Sequence, residues 1–142
     1  MKYKFVLISF LFIFSFCKKE VNQVTDANFL AFVDGSYSVI PLDKVATPQI
    51  GWNEFFKFTA GNIKYPTDAR ENNIQGIVNS FIIINENGKV EDFGIEKGIG
   101  YGCDEEVLRV IGLFKDEIFY PAVKDGKPIK VKFLYRVSFK LG

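Results

Sequence analysis

From Val131 to Leu141 the chain alternates without a break. Val131, Phe133, Tyr135, Val137, Phe139 and Leu141 fall on one side, and Lys130, Lys132, Leu134, Arg136, Ser138 and Lys140 on the other. Successive side chains of a strand leave opposite faces, so a period of two marks a half-buried strand, whereas a helix would scatter the same residues around its axis. The pattern predicts a C-terminal strand with one buried face and one basic face. The apolar face must in turn be covered by other elements of the chain.

Candidates for that cover lie upstream. Asp104-Glu105-Glu106 precede Val107, Leu108, Ile111 and Phe114, whose spacing predicts an amphipathic helix with an acidic first turn matched to its dipole. The stretch Trp52 to Ala60 predicts another helix, capped by Asn53, apolar through Phe55, Phe56 and Phe58, and ended by Gly61-Asn62. Tyr65-Pro66 opens a short helical piece from Thr67 to Asn72, with Asp68 at its positive end. Gly76 to Ile84 and Lys89 to Lys97 read as one long antiparallel hairpin across Asn85-Glu-Asn-Gly88, and the phase shift between Val90 and Phe93 predicts a bulge. Gly98-Ile-Gly-Tyr-Gly102 reads as a flexible connection, and Gly112 as a point of close packing on the sheet. Lys124-Asp-Gly-Lys-Pro128 is the turn before the last strand. From Trp52 the order is therefore helix, short helix, β, β, helix, β. Further upstream, Phe29 to Val33 and Ser36 to Ile40 flank Asp34-Gly35, which suits a type I′ hairpin and equally an irregular lead-in packed on the domain.

The 142 residues include no histidine and two cysteines, and 18 basic against 17 acidic side chains give a charge of +1. A near-neutral balance disfavours nucleic-acid binding, which needs a basic face. Without histidine the commonest general base and zinc ligand are missing, and no Cys–His nucleophile can form. The acidic run 104–106 is accounted for by its place at a helix start, and Cys103 reads as a packed small residue. Gly98-x-Gly-x-Gly102 lacks the spacing of a dinucleotide loop, and Asn85 to Gly88 lacks the further ligands of a calcium loop. No catalytic residue, metal site or cofactor is expected. The remaining function class is recognition: a regular C-terminal strand at a sheet edge can accept an extended peptide, and its lysines can equally protect that edge from aggregation.

At the N-terminus, Met1-Lys2-Tyr3-Lys4 leads into a 13-residue apolar run from Phe5 to Cys17, which holds five of the 16 phenylalanines. That length suits the core of an export signal and falls short of the roughly 20 residues a membrane span needs. Phe14-Ser15-Phe16-Cys17 resembles the lipobox of bacterial lipoproteins, with Phe16 where a small residue is usual, and the resemblance implies a lipid on Cys17. Residues 1–16 are then a signal segment, 17–41 a tether containing the hairpin candidate, and 42–142 the folded domain. Loss of Lys2 and Lys4 leaves 16 basic against 17 acidic residues, a charge of about −1. Cys103 then has no intrachain partner.

From about Leu42 to Gly142 the chain resembles the C-terminal domain of TonB, in the form common among Bacteroidetes-type sequences. The resemblance is carried by Pro48, Gly51, Phe55, Asn62, Tyr65-Pro66, Ala69-Arg70, Gly76, Asn87-Gly88-Lys89-Val90 and Gly98. It continues through Gly102-Cys103-Asp104-Glu105-Glu106-Val107-Leu108-Arg109, Pro121 and Gly126-Lys127-Pro128. It implies an α+β fold, a three-stranded antiparallel sheet with helices packed on one face. It also implies that the last strand pairs with the TonB box of outer-membrane receptors. Carried over, the peptide-binding residues are Val131, Phe133, Tyr135, Val137 and Phe139, with Tyr65 and Pro66 at the family's Y-P position. Ile63-Lys64 stands where some members carry glutamines. The partners implied are TonB-dependent outer-membrane receptors and the ExbB–ExbD motor complex, in a periplasmic, membrane-anchored protein whose membrane, inner or outer, is left open. Motor-coupled members have a full transmembrane helix and a long Pro-rich spacer, and this chain has a 13-residue run and a short tether. A lipoprotein adaptor without motor coupling is the alternative expectation. Exchange of the last strand between two copies, giving a homodimer, is open to so regular an element.

Overall fold

A computed structural model describes residues 25–142. Cys17 and the signal segment 1–16 lie outside the described residues. The elements follow in chain order as β1 (Phe29–Val33), β2 (Ser36–Ser38), β3 (Thr47–Pro48), α1 (Trp52–Asn62), α2 (Thr67–Glu71), β4 (Gly76–Ile84), β5 (Val90–Lys97), α3 (Cys103–Gly112), β6 (Phe119–Tyr120), β7 (Ala122–Lys124), β8 (Lys127–Ile129) and β9 (Val131–Phe139). A 3-10 turn over Asp26–Asn28 precedes β1. Alternating burial along β4 and β9 confirms the period-two reading, and α1 and α3 cover the buried face.

The main sheet has five antiparallel strands, in the order β2-β1-β9-β4-β5, and not the expected three. The additional pair is the 29–38 hairpin. Both turn residues take positive φ, Asp34 at 50° and Gly35 at 81°, as a type I′ turn requires. Phe29 and Ala31 alternate inward and are 0% and 1% exposed, which anchors β1 on the core and carries the sheet upstream of Leu42. Two further small ribbons, β3-β6 and β7-β8, frame the helical side.

Local chemistry explains the remaining differences. Helix α1 starts at Trp52 and is N-capped by Gly51 at φ 79°, with no side-chain cap, so the expected Asn53 cap does not form. The β4–β5 ladder is bulged twice. Ile83 faces Asp92 while Ile84 faces Val90, and Asn79 faces Lys97 while Ser80 faces Ile95, leaving Glu91 and Glu96 as the extra residues. The connection 98–102 is pinned rather than flexible, because the Asp104 carboxylate accepts the amides of Ile99 (2.9 Å) and Gly100 (3.0 Å). Gly88, at φ 74°, closes the β4–β5 turn with its Cα against the backbone of Phe119; an added Cβ would lie 1.9 Å from that carbonyl oxygen. Gly112 does face the sheet, although a Cβ there would meet Phe93 at an ordinary 3.5 Å.

Phe29, Phe55, Phe56, Phe58, Phe114, Phe119 and Phe133 form one aromatic cluster. Trp52 stands at its centre, with ring centroids 4.5 Å from Phe133, 5.2 Å from Phe55, 5.7 Å from Phe56 and 6.1 Å from Phe29. Four elements, β1, β6, α1 and β9, thus meet on a single side chain.

Candidate functional site

Strand β9, at the centre of the main sheet, has one fully paired side and one half-paired side. Against β4 it is continuous through nine residue pairs, Gly76↔Phe139 to Ile84↔Val131, with no bulge. Against β1 it pairs only at Val131, Lys132 and Phe133, with one further bond from the Phe32 amide to the Lys130 carbonyl at 2.9 Å. From Leu134 to Phe139, no strand among the described residues pairs with that second side.

The hydrogen-bond parity identifies which groups the open half presents. In an antiparallel ladder both backbone groups of a residue point to one neighbour, and the direction alternates along the strand. The Lys130 carbonyl points to β1, so the N–H and C=O of Lys132, Leu134, Arg136 and Ser138 turn the same way. The odd-numbered residues turn to β4. The Ser80 hydroxyl, which donates to the Tyr135 carbonyl at 2.8 Å, reports the same parity independently.

The strand residues named from the sequence lie on this same strand, with their side chains turned to the core. Val131, Phe133, Val137 and Phe139 are buried, with exposures of 0%, 1%, 8% and 2%, and their side chains form core. Tyr135 stacks on Phe56 and donates its hydroxyl to Thr59 Oγ1 at 2.8 Å; burial pushes its pKa up, opposed in part by that hydrogen bond. Thr59 donates onward to the Phe56 carbonyl at 3.0 Å, so this buried polar pair is satisfied within the core. The five side chains build the floor of the edge. Among the described residues, the backbone groups of β9 that no strand meets belong to Leu134, Arg136 and Ser138, which the sequence reading did not single out. The lysine–arginine face carried part of the signal, because those residues share the outward phase; the edge they line depends on the pairing with β1.

Tyr65 and Pro66 lie at the far end of the same strand. The Tyr65 ring meets Phe139 edge-on at 5.5 Å, its hydroxyl donates to the Ile74 carbonyl, and the Arg70 guanidinium stands 5.9 Å above the ring. Pro66 packs beneath Gly102, where an added Cβ would come within 3.2 Å of it. The fold therefore brings Tyr65 to the open half of β9, beside Phe139. Val131 and Phe133 belong to the half that β1 covers.

The outer face is less basic than its sequence suggests. Glu91 and Glu96, the bulge residues of β5, reach across β4 to Lys130 and Lys132, Lys130 at 2.8 Å. The hydrogen bond to Glu91 is the main cause that raises the pKa of Lys130. The Lys132 ammonium also stands 4.3 Å above the Phe81 ring. Arg136 and Lys140 are exposed and have no carboxylate partner among the described residues. At the entrance to α3, Glu106 accepts the Lys64 amide at 2.7 Å and pairs with Arg109, whose guanidinium also donates to the Asn62 carbonyl. Asp104 and Glu106 thus tie α3 to the 98–102 connection and to the segment that follows α1. Cys103 is buried, and burial, with Asp104 and Glu105 nearby, pushes its thiol pKa up, the opposite of an activated nucleophile. Among the described residues no helix is long and apolar enough to cross a membrane.

No curated protein matches the chain. A family model described as Gram-negative bacterial TonB protein C-terminal matches residues 61–141, more than half of the chain, from the end of α1 through β9. That family comprises transport-related, non-enzymatic energy transducers that are periplasmic and membrane-associated in general and engage TonB-dependent receptors. With its α+β antiparallel architecture and this match, the chain belongs to the TonB C-terminal domain family.

Proposed function

We propose that the protein binds the TonB box of outer-membrane receptors in the periplasm by adding the receptor peptide as a strand to the open half of β9. The observation that carries this reading is the edge itself: Leu134, Arg136 and Ser138 turn their backbone groups away from β4, where no described strand meets them. Peptide affinity then comes from main-chain hydrogen bonds on a rigid strand whose other side is locked to β4. The aromatic floor, Tyr135 over Phe56 and Phe139 under Tyr65, keeps that strand from moving.

A second reading, a lipoprotein adaptor without motor coupling, is supported by Cys17 at the end of the short apolar run. It uses the same edge and differs in the anchor. Mass spectrometry of the N-terminus separates the two, since a lipid on Cys17 leaves no transmembrane link to a proton-driven motor.

Ser138→Pro removes an outward N–H and leaves the β4 ladder intact, so it is expected to lower receptor-peptide affinity about tenfold, the size of one or two lost hydrogen bonds. Lys97→Ala, on β5 at the opposite edge, is expected to bind as the unaltered protein does. Equal affinity of both variants in a fluorescence-anisotropy titration would remove the strand-addition reading.

A further inference from the structure

The half of β9 that stays covered limits what the open half can accept. Phe29 is fully buried between Trp52 and Phe133, and Ala31 is buried beside it, so β1 is held by core packing as well as by hydrogen bonds. The β1 register, continued upstream, would set Asn28 opposite Leu134. Instead residues 26–28 curl into the 3-10 turn: the Asn28 amide donates to the Thr25 carbonyl at 2.9 Å and the Asn28 side-chain oxygen accepts the Thr25 amide at 3.0 Å. The hairpin and its turn lie upstream of residue 61, where the family match begins, so the wall they make is contributed by a different part of the chain from the edge it bounds.

Beyond that wall, the outward-facing charges are unequal. Lys130 and Lys132 are engaged by Glu91 and Glu96, and Arg136, in the middle of the open half, has no carboxylate partner among the described residues. A strand added alongside Arg136 sets one of its outward side chains next to this guanidinium. Lys140 adds a second positive charge beyond the end of β9.

We propose that the open half of β9 is a short slot, closed at Leu134 by the chain's own β1 hairpin, that selects an extended peptide carrying an acidic side chain opposite Arg136. The inference rests on the strand-addition reading above and adds to it a length and a charge. A carboxylate opposite Arg136 forms a charge-assisted pair at an edge where the lysines nearer β1 are already engaged.

The test uses fluorescein-labelled peptides Thr-Val-Glu-Val-Thr, Thr-Val-Gln-Val-Thr and Thr-Val-Lys-Val-Thr, and a nine-residue version of the first lengthened at either end. The glutamate peptide is expected to bind about tenfold more tightly than the glutamine one. Arg136→Glu is expected to reverse the order in favour of the lysine peptide, and Lys115→Glu, exposed just after α3 and with the same change in net charge, to leave it unaltered. The nine-residue peptide is expected to bind within about threefold of the short one, with the emission of Trp52 unchanged, since a strand confined to the slot gains no pairing from added length. Equal binding of the glutamate and glutamine peptides, or identical behaviour of the two charge-reversed variants, overturns the charge selection. A tenfold or greater gain from length accompanied by a shift in Trp52 emission shows that β1 leaves, and overturns the closed slot. Binding that ignores charge and length leaves strand addition standing, whereas absence of binding by every peptide removes both.

Discussion

The two sides of β9 differ in how they are held. On the β4 side nine consecutive pairs run the length of the strand, and the odd-numbered side chains below them interlock with Trp52, Phe55 and Tyr65. On the β1 side three pairs hold a hairpin whose buried weight is Phe29 and Ala31. A strand paired along one side, and on the other met by a described strand over only part of its length, suits the proposed peptide addition, because the peptide would join a strand already held in place. The comparison also separates two meanings of a site residue: the odd positions make the edge rigid, and the even positions present it.

The largest expected effect comes from exchanging those roles with proline. Tyr135→Pro removes an N–H from the β4 ladder and an aromatic side chain from the core, and is expected to cost about 4–6 kcal/mol, close to the whole stability of a domain this size. Arg136→Pro removes an outward N–H and is expected to cost about 1 kcal/mol. Urea unfolding of the two variants measures the difference, and similar losses would refute the parity assigned to β9.

Next come two phenylalanines that touch each other at 5.1 Å. Phe133→Ala is expected to lower global stability by about 3–5 kcal/mol. Phe29→Ala is expected to act first on the hairpin, so that native-state hydrogen exchange of the Phe32 amide accelerates while the amides between β4 and β9 stay protected. If both sets of amides lose protection together, β1 and β4 are one cooperative unit and the contrast between the two sides disappears.

A smaller effect probes the floor of the edge. Tyr135→Phe deletes the hydrogen bond to Thr59 and keeps the ring, for an expected loss of about 1 kcal/mol with peptide affinity unchanged. The smallest concerns Glu106, remote from either side of β9. Its hydrogen bonds with Arg109, and the Lys64 amide after them, hold its carboxyl below the ordinary range. A depressed carboxylate contributes stability that is present above its unfolded value, about 4.3, and lost as pH falls through the lower folded value. With Arg109 largely in solvent, the expected contribution is below about 1 kcal/mol. Glu106→Gln should flatten that part of the stability curve, in acid titrations followed by circular dichroism, without altering the exchange of the Phe32 amide.

Much of the fold was written in local pattern. The alternation from Val131 set the two faces of β9, the apolar spacing of Val107 and Ile111 set the buried side of α3, and the phase shift after Val90 marked a bulge that the ladder contains. Helix α1 was legible as an element but not in its cap, because Gly51 supplies a backbone conformation rather than the hydroxyl or amide that Asn53 suggested. The basic stripe on β9 was legible as a face but not as a balance of charge, because the glutamates that engage Lys130 and Lys132 arrive from bulges on β5, about 40 residues earlier.

The sequence by itself determined which β9 side chains are buried, since the period of a strand is a local property of the backbone. Only the tertiary structure decided which of its edges is free, because backbone direction acquires meaning when a particular neighbour binds one side. Here that neighbour is a hairpin about 100 residues upstream, held by Phe29 against Trp52. No local pattern encodes such a pairing, and it is this pairing that turns the backbone groups of Leu134, Arg136 and Ser138, rather than those of Tyr135 and Val137, toward the side that no described strand meets.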